Sequence, residues 1–302
     1  MSISKVKSIF TRNRNDLAFI IGNGINLHYN KGKVSWNDLL LDLWDKYSFN
    51  TQSTIPEGIS FTEFYDVLEI QNYLEGKFSS ILQKDVVQRM SGWDPNDLQN
   101  LILNKIKELD APLLTTNFDD LIPQSMGLDF KKLHDTSFTD YYPWSCYYSD
   151  RELSDPNEGF GVWNINGMIK YHRSIKLGLS QYMGNVERAR KLIHKKPENI
   201  SFEGKNQSYW PGYKTWLHTI FNKSLFICGL RLDETEIFIR WLLIERAKYF
   251  RRFPDRKHNG WFVMKNGEDK PSNEGKIFFL QSVGFEIISM DEYKYMYEDI
   301  WT

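Results

Sequence analysis

Short apolar runs of strand length alternate with helical segments along the chain, and this alternation constrains the fold more than any other feature. The first run, LAFIIG at Leu17–Gly22, is rich in isoleucine and ends in a glycine turn, as expected of a strand buried on both faces. Later runs of the same kind are APLLTTNF, GVWNING, SLFICGL, GWFVMK and FEIISM. Strands that alternate with helices form parallel sheets, so we predict an α/β fold with a Rossmann-like parallel sheet and helices on both faces.

A long helical stretch separates the first two predicted strands. In the segment SWNDLLLDLWDKY, Ser35 fits an N-cap, and Leu39 and Leu43 share one helical face. Helical patterning then continues through three further segments to Leu109. We therefore predict a single domain over 1–302, with a helical lobe at approximately 35–110 inserted between strands one and two and the remainder of the Rossmann-like core at 111–302.

Composition and charge exclude several classes of protein. With 302 residues, 41% of them hydrophobic, the chain can bury a large core, and its formal net charge of -1 provides no overall positive field for nucleic acid. Cys146 and Cys228 cannot form a disulfide framework or a four-cysteine zinc site, and the histidines are scattered, so we expect no metal. The polar N-terminal leader has no apolar core, and no apolar run is long enough for a membrane span, so we expect a soluble, cytoplasmic protein.

The polar stretches Lys195–Gln207 and Lys265–Gly275 are predicted to be surface loops.

Glycines and polar residues cluster where the first two predicted strands end, which is the edge where open parallel sheets bind ligands. The first strand runs into Gly22-Asn23-Gly24-Ile25-Asn26, in which glycines permit positive φ and close approach to a phosphate, although Leu27 breaks the pattern GxGxxG. The second ends in Thr115-Thr116-Asn117-Phe118-Asp119. Both segments also fit purely structural roles, namely a tight strand-to-helix turn and a turn residue followed by a helix cap.

Taken together, these strand ends resemble those of the sirtuin superfamily, in which the first turn reads Gly-Ala-Gly-x-Ser and the second strand ends Thr-Gln-Asn-x-Asp. The corresponding segments of this chain read GNGIN and TTNFD. Trp163-Asn164-Ile165-Asn166-Gly167 stands where sirtuins carry a His-Gly pair, and Ile227-Cys228-Gly229-Leu230 resembles the late Gly-Thr-Ser strand end that contacts the adenosine ribose. The resemblance extends from about Leu17 to the C-terminus.

The resemblance is closest to one branch of that superfamily. Protein-deacylating sirtuins carry a zinc ribbon with two CxxC pairs, which two cysteines cannot build. The helical lobe in place of the ribbon, and the segment IKLGLSQYM, look like those of the bacterial sirtuin-like NAD hydrolases of antiphage defence. This likeness implies cleavage of NAD to nicotinamide and ADP-ribose without a metal, depleting cellular NAD upon activation. It also implies a homo-oligomer, with a ring-shaped ATPase or an Argonaute-like protein as a partner.

The resemblance assigns a role to each matching residue. Its catalytic candidates are Asn117, whose amide would face the ribose, Asp119, which would orient Asn117 or cap a helix, and Asn166. The residues expected to bind NAD are Gly22, Asn23, Gly24, Asn26, Thr116, Gly167, Tyr182, Gly229 and Leu230.

Asn166 departs from the family pattern, because it replaces the histidine expected before the glycine. An asparagine donates and accepts hydrogen bonds but does not titrate near neutral pH, so general-base chemistry at this position is lost. His172, six residues later, replaces it only if the chain turns back. Three alternatives stay open: a slow hydrolase that relies on Asn117 and positioned water, a nucleotide-binding pseudoenzyme acting as a subunit of a defence complex, and a chain in which the histidine was deliberately replaced.

Overall fold

The computed structural model describes residues 2–29, 35–74, 80–95, 99–133, 142–194, 202–267 and 271–302. Its strands are Leu17–Ile21 (β1), Leu113–Thr115 (β2), Asp129–Lys132 (β3), Cys146–Ser149 (β4), Val162–Asn164 (β5), Ser224–Cys228 (β6), Gly260–Lys265 (β7) and Glu286–Met290 (β8). Within the described ranges they form one sheet in the order β3-β4-β5-β2-β1-β6-β7-β8. The six strands from β5 to β8 are parallel, and β4 is antiparallel to both of its neighbours. The predicted Rossmann-like α/β fold is confirmed.

Helices connect most of these strands. They are Ser2–Arg12 (α1), Gly24–Tyr29 (α2), Trp36–Tyr47 (α3), Phe61–Leu74 (α4), Ser80–Met90 (α5), Gln99–Glu108 (α6), Leu121–Ser125 (α7), Leu179–His194 (α8), Leu217–Asn222 (α9), Ile237–Arg252 (α10) and Pro271–Ser282 (α11). A 3₁₀ segment at Ile169–Ser174 follows β5, and a short π-helical turn at Tyr295–Asp299 follows β8. No helix in the described part of the chain combines the length and the apolar character needed to cross a bilayer.

The central strand β1 shows why both faces of the sheet are covered. Successive side chains of a strand point to opposite faces. Leu17, Phe19 and Ile21 accordingly pack into one hydrophobic cluster, which α1 and α6 also supply. Ala18 and Ile20 pack into a second cluster on the other face, with side chains of α8, α9, α10 and α11. A strand buried on both faces needs a continuous apolar run, which is what LAFII provides.

The segment between β1 and β2 consists, where the structure describes it, of helices α2 to α6 joined by turns and irregular connections that include residues 48–60. Ser35 caps α3 in a capping box, because its hydroxyl accepts a hydrogen bond from the backbone N–H of Asp38 and the Asp38 carboxylate accepts one from the backbone N–H of Ser35. Side chains of α3, α4 and α5 form a third hydrophobic cluster, which also contains Phe118 and Leu177. These three helices therefore pack against the loops that follow β2 and β5.

Several local expectations are wrong. The N-terminal leader is a helix, α1, whose Val6, Ile9 and Phe10 are buried against the sheet. The edge strand β3 and its neighbour β4 were not expected, because DFKK carries no apolar alternation and CYYS is only four residues long. The expected loop Lys265–Gly275 runs into α11, which begins at Pro271. In the expected loop Lys195–Gln207, residues 195–201 lie outside the described ranges, and Lys205 is fully buried.

The strand order creates a switch point beside β1. On one side of β1 lie β2 and then β5, whereas β6 lies on the other side of β1 and leads outward to β7 and β8. Successive connections at β1 and β6 therefore diverge, which opens a crevice at the carboxyl ends of these two strands. The loops after β1 and β6, at Asn23 and Gly229, flank this crevice.

Candidate active site

A cleft of about 440 Å³ opens at the carboxyl ends of β1, β2, β5 and β6. Most of the residues singled out in the sequence line it. They are Asn23 and Gly24 after β1, Thr116, Asn117 and Asp119 after β2, Asn166 after β5, Gly229 and Leu230 after β6, and Tyr182 on α8. The loops that begin near Asn23 and Asn117 therefore converge on one cleft, as expected of an open parallel sheet.

Three of the predicted site residues, Gly22, Asn26 and Gly167, are not among the residues that line the cleft. Asn26 is fully buried behind the cleft wall. Its amide nitrogen donates hydrogen bonds to Asn23 Oδ1 and to Asp119 Oδ2, each at 3.0 Å, and its Oδ1 accepts one from Gln99 Nε2 at 2.6 Å. Asn26 thus ties the loop after β1 to the loop after β2.

Gly22 and Gly24 are required by the close approach of two strand ends. A Cβ built on Gly22 would lie 2.7 Å from the carbonyl oxygen of Gly229, and one built on Gly24 would lie 2.2 Å from Tyr297 Oη and 2.8 Å from the same carbonyl. The Gly24 N–H donates to Gly229 O at 2.9 Å. Neither glycine has positive φ, so their role is close packing of the loops after β1 and β6, and not the left-handed conformation expected from the sequence.

Asn117 has the most unusual surroundings in the cleft. Its backbone is held from both sides, because its N–H donates to Thr115 Oγ1 at 3.1 Å and its carbonyl oxygen accepts from Asn164 Nδ2 at 2.9 Å. Its side-chain Oδ1 and Nδ2 are both buried, and neither has a hydrogen-bond partner in the described part of the chain. Buried amides are almost always paired, so an unpaired side-chain amide at this position is exceptional.

The turn that carries Asn166 is fixed by its backbone. The carbonyl oxygen of Asn166 accepts a hydrogen bond from the Lys176 N–H at 3.0 Å, and the Tyr142 hydroxyl donates to the carbonyl oxygen of Ile165. The Asn166 Oδ1 is buried and has no partner among the described residues. The chain does turn after Asn166, but His172 on the 3₁₀ segment does not line the cleft, and burial together with Lys84 and Arg173 lowers its pKa.

Sequence reasoning missed several residues of the cleft. Trp36 and Trp93 line it beside the helical lobe, whereas Trp44 and Trp216 are buried. Glu236, the N-cap residue of α10, also lines the cleft. Burial, and to a lesser degree the charge of Asp233, raises the pKa of Glu236 to about 7. Glu236 lies several residues beyond the end of β6, so a search limited to strand ends does not find it.

The fold and the cleft define a Rossmann-like α/β protein with a deep cleft at the switch point of its sheet. No family model matches the chain, and no curated protein matches it significantly. Over the ranges that the structure describes, no group of three or more histidine, cysteine, aspartate or glutamate side chains is arranged to hold a metal ion. The function is therefore inferred from the chemistry of the cleft.

Proposed function

We propose that the cleft binds NAD and hydrolyses the bond between nicotinamide and ribose, releasing nicotinamide and ADP-ribose. Two observations support the substrate class. The cleft lies outside the carboxyl ends of parallel strands at a switch point, where Rossmann-like sheets bind dinucleotides, and its volume of about 440 Å³ is within the usual range of ligand pockets. Most of the residues that resemble the sirtuin motifs, from Asn23 to Gly229, line this one cleft.

The observation that carries the proposal is the unpaired amide of Asn117. A buried amide without a partner costs free energy, about 1–3 kcal/mol, which a ligand that completes its hydrogen bonds would recover. The backbone of Asn117 is held by its contacts to Thr115 and Asn164, so the position from which its side chain enters the cleft is fixed before a ligand arrives. Dipoles that are already in position stabilise a transition state more effectively than groups that must first move there.

The reaction suits a polar, partly dehydrated cleft. When the bond from the ribose carbon C1′ to the nicotinamide nitrogen breaks, its electron pair neutralises the pyridinium and leaves positive charge on the ribose. The Asn117 amide would hold the ribose hydroxyl groups or the attacking water in this oxocarbenium-like state. Asp119 would have an indirect role, because its carboxylate accepts hydrogen bonds from Asn26 and from the backbone N–H of Leu121 and so orients the loop after β2.

A second candidate is a binding module that holds NAD or ADP-ribose as a signal for another protein. The observation that favours it is Asn166, which lines the cleft with a buried, unpaired Oδ1 and carries no group that titrates near neutral pH. A site that needs only hydrogen bonds to the ligand would function with this residue.

Nicotinamide release distinguishes the two candidates. Purified protein is incubated with NAD, and nicotinamide and ADP-ribose are quantified by chromatography, while the melting temperature is measured with and without NAD. We expect the wild type to release nicotinamide, and we expect the rate of release to fall by at least about 100-fold in Asn117→Ala. The matched control Asn206→Ala removes an exposed asparagine outside the cleft and should leave the rate unchanged.

Each outcome has a distinct meaning. Turnover that falls in Asn117→Ala and persists in Asn206→Ala supports the hydrolase. A rise in melting temperature with NAD, but no nicotinamide release, supports the binding module. If no NAD is consumed and neither NAD nor ADP-ribose raises the melting temperature, both candidates are refuted.

An NAD hydrolase in the cytoplasm must stay inactive until it is needed. We therefore propose that this chain belongs to a bacterial antiphage defence system, in which it acts as a homo-oligomer with an ATPase or Argonaute-like partner. Cellular NAD should fall after infection of cells that carry the wild-type chain and should stay constant with Asn117→Ala.

A further inference from the structure

The carboxyl groups of the cleft differ in how they are held. Asp119 accepts hydrogen bonds from Asn26 and from the backbone N–H of Leu121. Asp233 accepts bonds from the backbone N–H and the hydroxyl of Thr235 through its Oδ1, at 3.1 and 2.5 Å. Glu236 accepts no side-chain hydrogen bond and forms no ion pair with any residue that the structure describes. Of the three, it is the carboxyl group left available for a ligand.

The backbone of Glu236 is nevertheless fixed. Its N–H donates to the Asp233 carbonyl oxygen at 3.2 Å, and its own carbonyl oxygen accepts the Arg240 N–H at 3.0 Å in the first turn of α10. As the N-cap residue it makes no side-chain capping bond, although an N-cap side chain usually accepts one. The side chain is half-buried and lines the cleft.

Two buried tyrosines relate Glu236 to the Asn166 turn. Burial and the charge of Glu236 raise the pKa of Tyr182, and burial and Tyr182 raise that of Tyr142. Tyr142 in turn donates its hydroxyl to the carbonyl oxygen of Ile165, the residue before Asn166. Both Tyr182 and Glu236 line the cleft, as Asn166 does. The Glu236 carboxyl group therefore lines the same cleft as Asn166, the residue that stands where the sirtuin resemblance expects a histidine.

The surroundings of Glu236 also suit proton transfer near neutral pH. Among the described residues, Tyr182 on α8 and Asp233 in the preceding loop interact electrostatically with it, and both are neutral or negative. The cations that line the same cleft are Arg231, Lys265 and Lys276. Burial and Asp233 raise the pKa of Glu236 to about 7, which lies close to the optimum for a general base at physiological pH. No histidine is among the described residues that line the cleft.

We propose that Glu236 is the general base of this cleft and accepts a proton from the water molecule that attacks the ribose. The role rests on the proposed hydrolysis of NAD. The bond between C1′ and the nicotinamide nitrogen breaks with its electron pair on that nitrogen, the water oxygen forms the new bond to C1′, and one water proton passes to the Glu236 carboxylate. The carboxyl group then releases this proton to solvent, so the overall reaction yields nicotinamide, ADP-ribose and one proton.

The dependence of turnover on pH tests this role. The rate of nicotinamide release at saturating NAD is measured between about pH 5.5 and 8.5 for the wild type, Glu236→Gln and Glu236→Asp. We expect the wild-type rate to rise with pH around a midpoint near 7, because only the ionised carboxyl group accepts a proton. In Glu236→Gln the rate should fall by about 10²- to 10⁴-fold and should no longer rise with pH, while the Kd for NAD should change by less than about threefold. Glu236→Asp should keep the rise at a reduced rate.

Glu234→Gln is the matched control, because this exposed neighbour undergoes the same chemical change outside the cleft and should behave like the wild type. If Glu236→Gln keeps both its rate and its rise with pH, the role of Glu236 is refuted while NAD hydrolysis stands. If the wild type binds NAD and releases no nicotinamide at any pH, the hydrolase is refuted and the general base with it. Should Glu236→Gln fail to fold, a wild-type profile that is flat through pH 7 would still overturn the proposal.

Discussion

Replacing Gly167 by alanine is expected to destabilise the protein strongly, because this glycine shapes the turn that carries Asn166. Gly167 has φ of +104°, a conformation that residues with a Cβ rarely adopt. A Cβ built on it would lie 2.2 Å from the carbonyl oxygen of Ser174 and 2.6 Å from the Ile175 nitrogen. Both contacts are with backbone atoms, so no side-chain rotation relieves them.

The expected cost follows from two separate terms. Holding alanine in a sparsely populated backbone region costs about 1–3 kcal/mol. Moving the backbone at Ser174 by about an ångström to relieve the overlap costs about another 1–3 kcal/mol, as in other overpacked cores. Alanine also restricts the unfolded chain, which returns about 0.4–1 kcal/mol. The net loss in the free energy of unfolding is therefore about 1–6 kcal/mol, against the 5–15 kcal/mol typical of a folded domain.

Urea denaturation followed by tryptophan fluorescence measures this loss. The matched control is Gly184→Ala on α8, where a Cβ would meet nothing within 4 Å and φ is not positive. Alanine there should stabilise the protein by about 0.5–1 kcal/mol, because it favours the helix. A Gly167→Ala variant within about 1 kcal/mol of the wild type would show that the turn does not have the conformation and close packing described.

Two further predictions concern buried charge. Between pH 4.5 and 8, the free energy of unfolding of Glu236→Gln should rise by about 3 kcal/mol relative to that of the wild type, as measured by urea denaturation at several pH values. The reason is that the pKa of Glu236 is raised from 4.5 to about 7, so the wild type loses stability as the pH rises through 7. An equal difference between the two proteins at both ends of this pH range would contradict the prediction. Arg246→Met should destabilise the protein by about 3–5 kcal/mol, because the buried guanidinium donates hydrogen bonds to the carbonyl oxygens of Ile220, Lys223 and Asn259. The control Arg251→Met replaces an exposed arginine and should change stability by less than about 0.5 kcal/mol. Similar losses in both variants would refute the reasoning.

Local sequence patterns predicted elements that bury a regular face. LAFII is a strand because both of its faces are covered, and the Ser35 capping box marks the start of α3 independently of any distant contact. The helix α1 was missed because its basic and polar residues obscure three apolar side chains, Val6, Ile9 and Phe10, that recur at helical spacing. The edge strand β3 was missed because an edge strand needs neither apolar face nor regular alternation. Its neighbour β4 was missed because its four residues, CYYS, are too few to show a pattern.

The candidate site was predictable to the extent that it lies at strand ends. Asn117 and Asn166 follow β2 and β5 directly, so the geometry of a parallel sheet brings them to one edge. Their environments were not predictable, since the unpaired Asn117 amide depends on which neighbours approach it. Glu236 was missed for the same reason, because its raised pKa arises from burial, which no local pattern reveals.

The amino-acid sequence by itself determined where the buried strands and their intervening helices lie, because hydrophobic periodicity acts over a few residues and needs no partner to be recognised. Only the tertiary structure decided that Asn26 bonds to Asp119 across 93 residues and that Gly24 packs against Gly229. Those contacts depend on the strand order, in which β1 lies between β2 and β6. Strand order arises when the whole chain buries its apolar surface together, so the environment of each side chain in the cleft is a property of the complete fold.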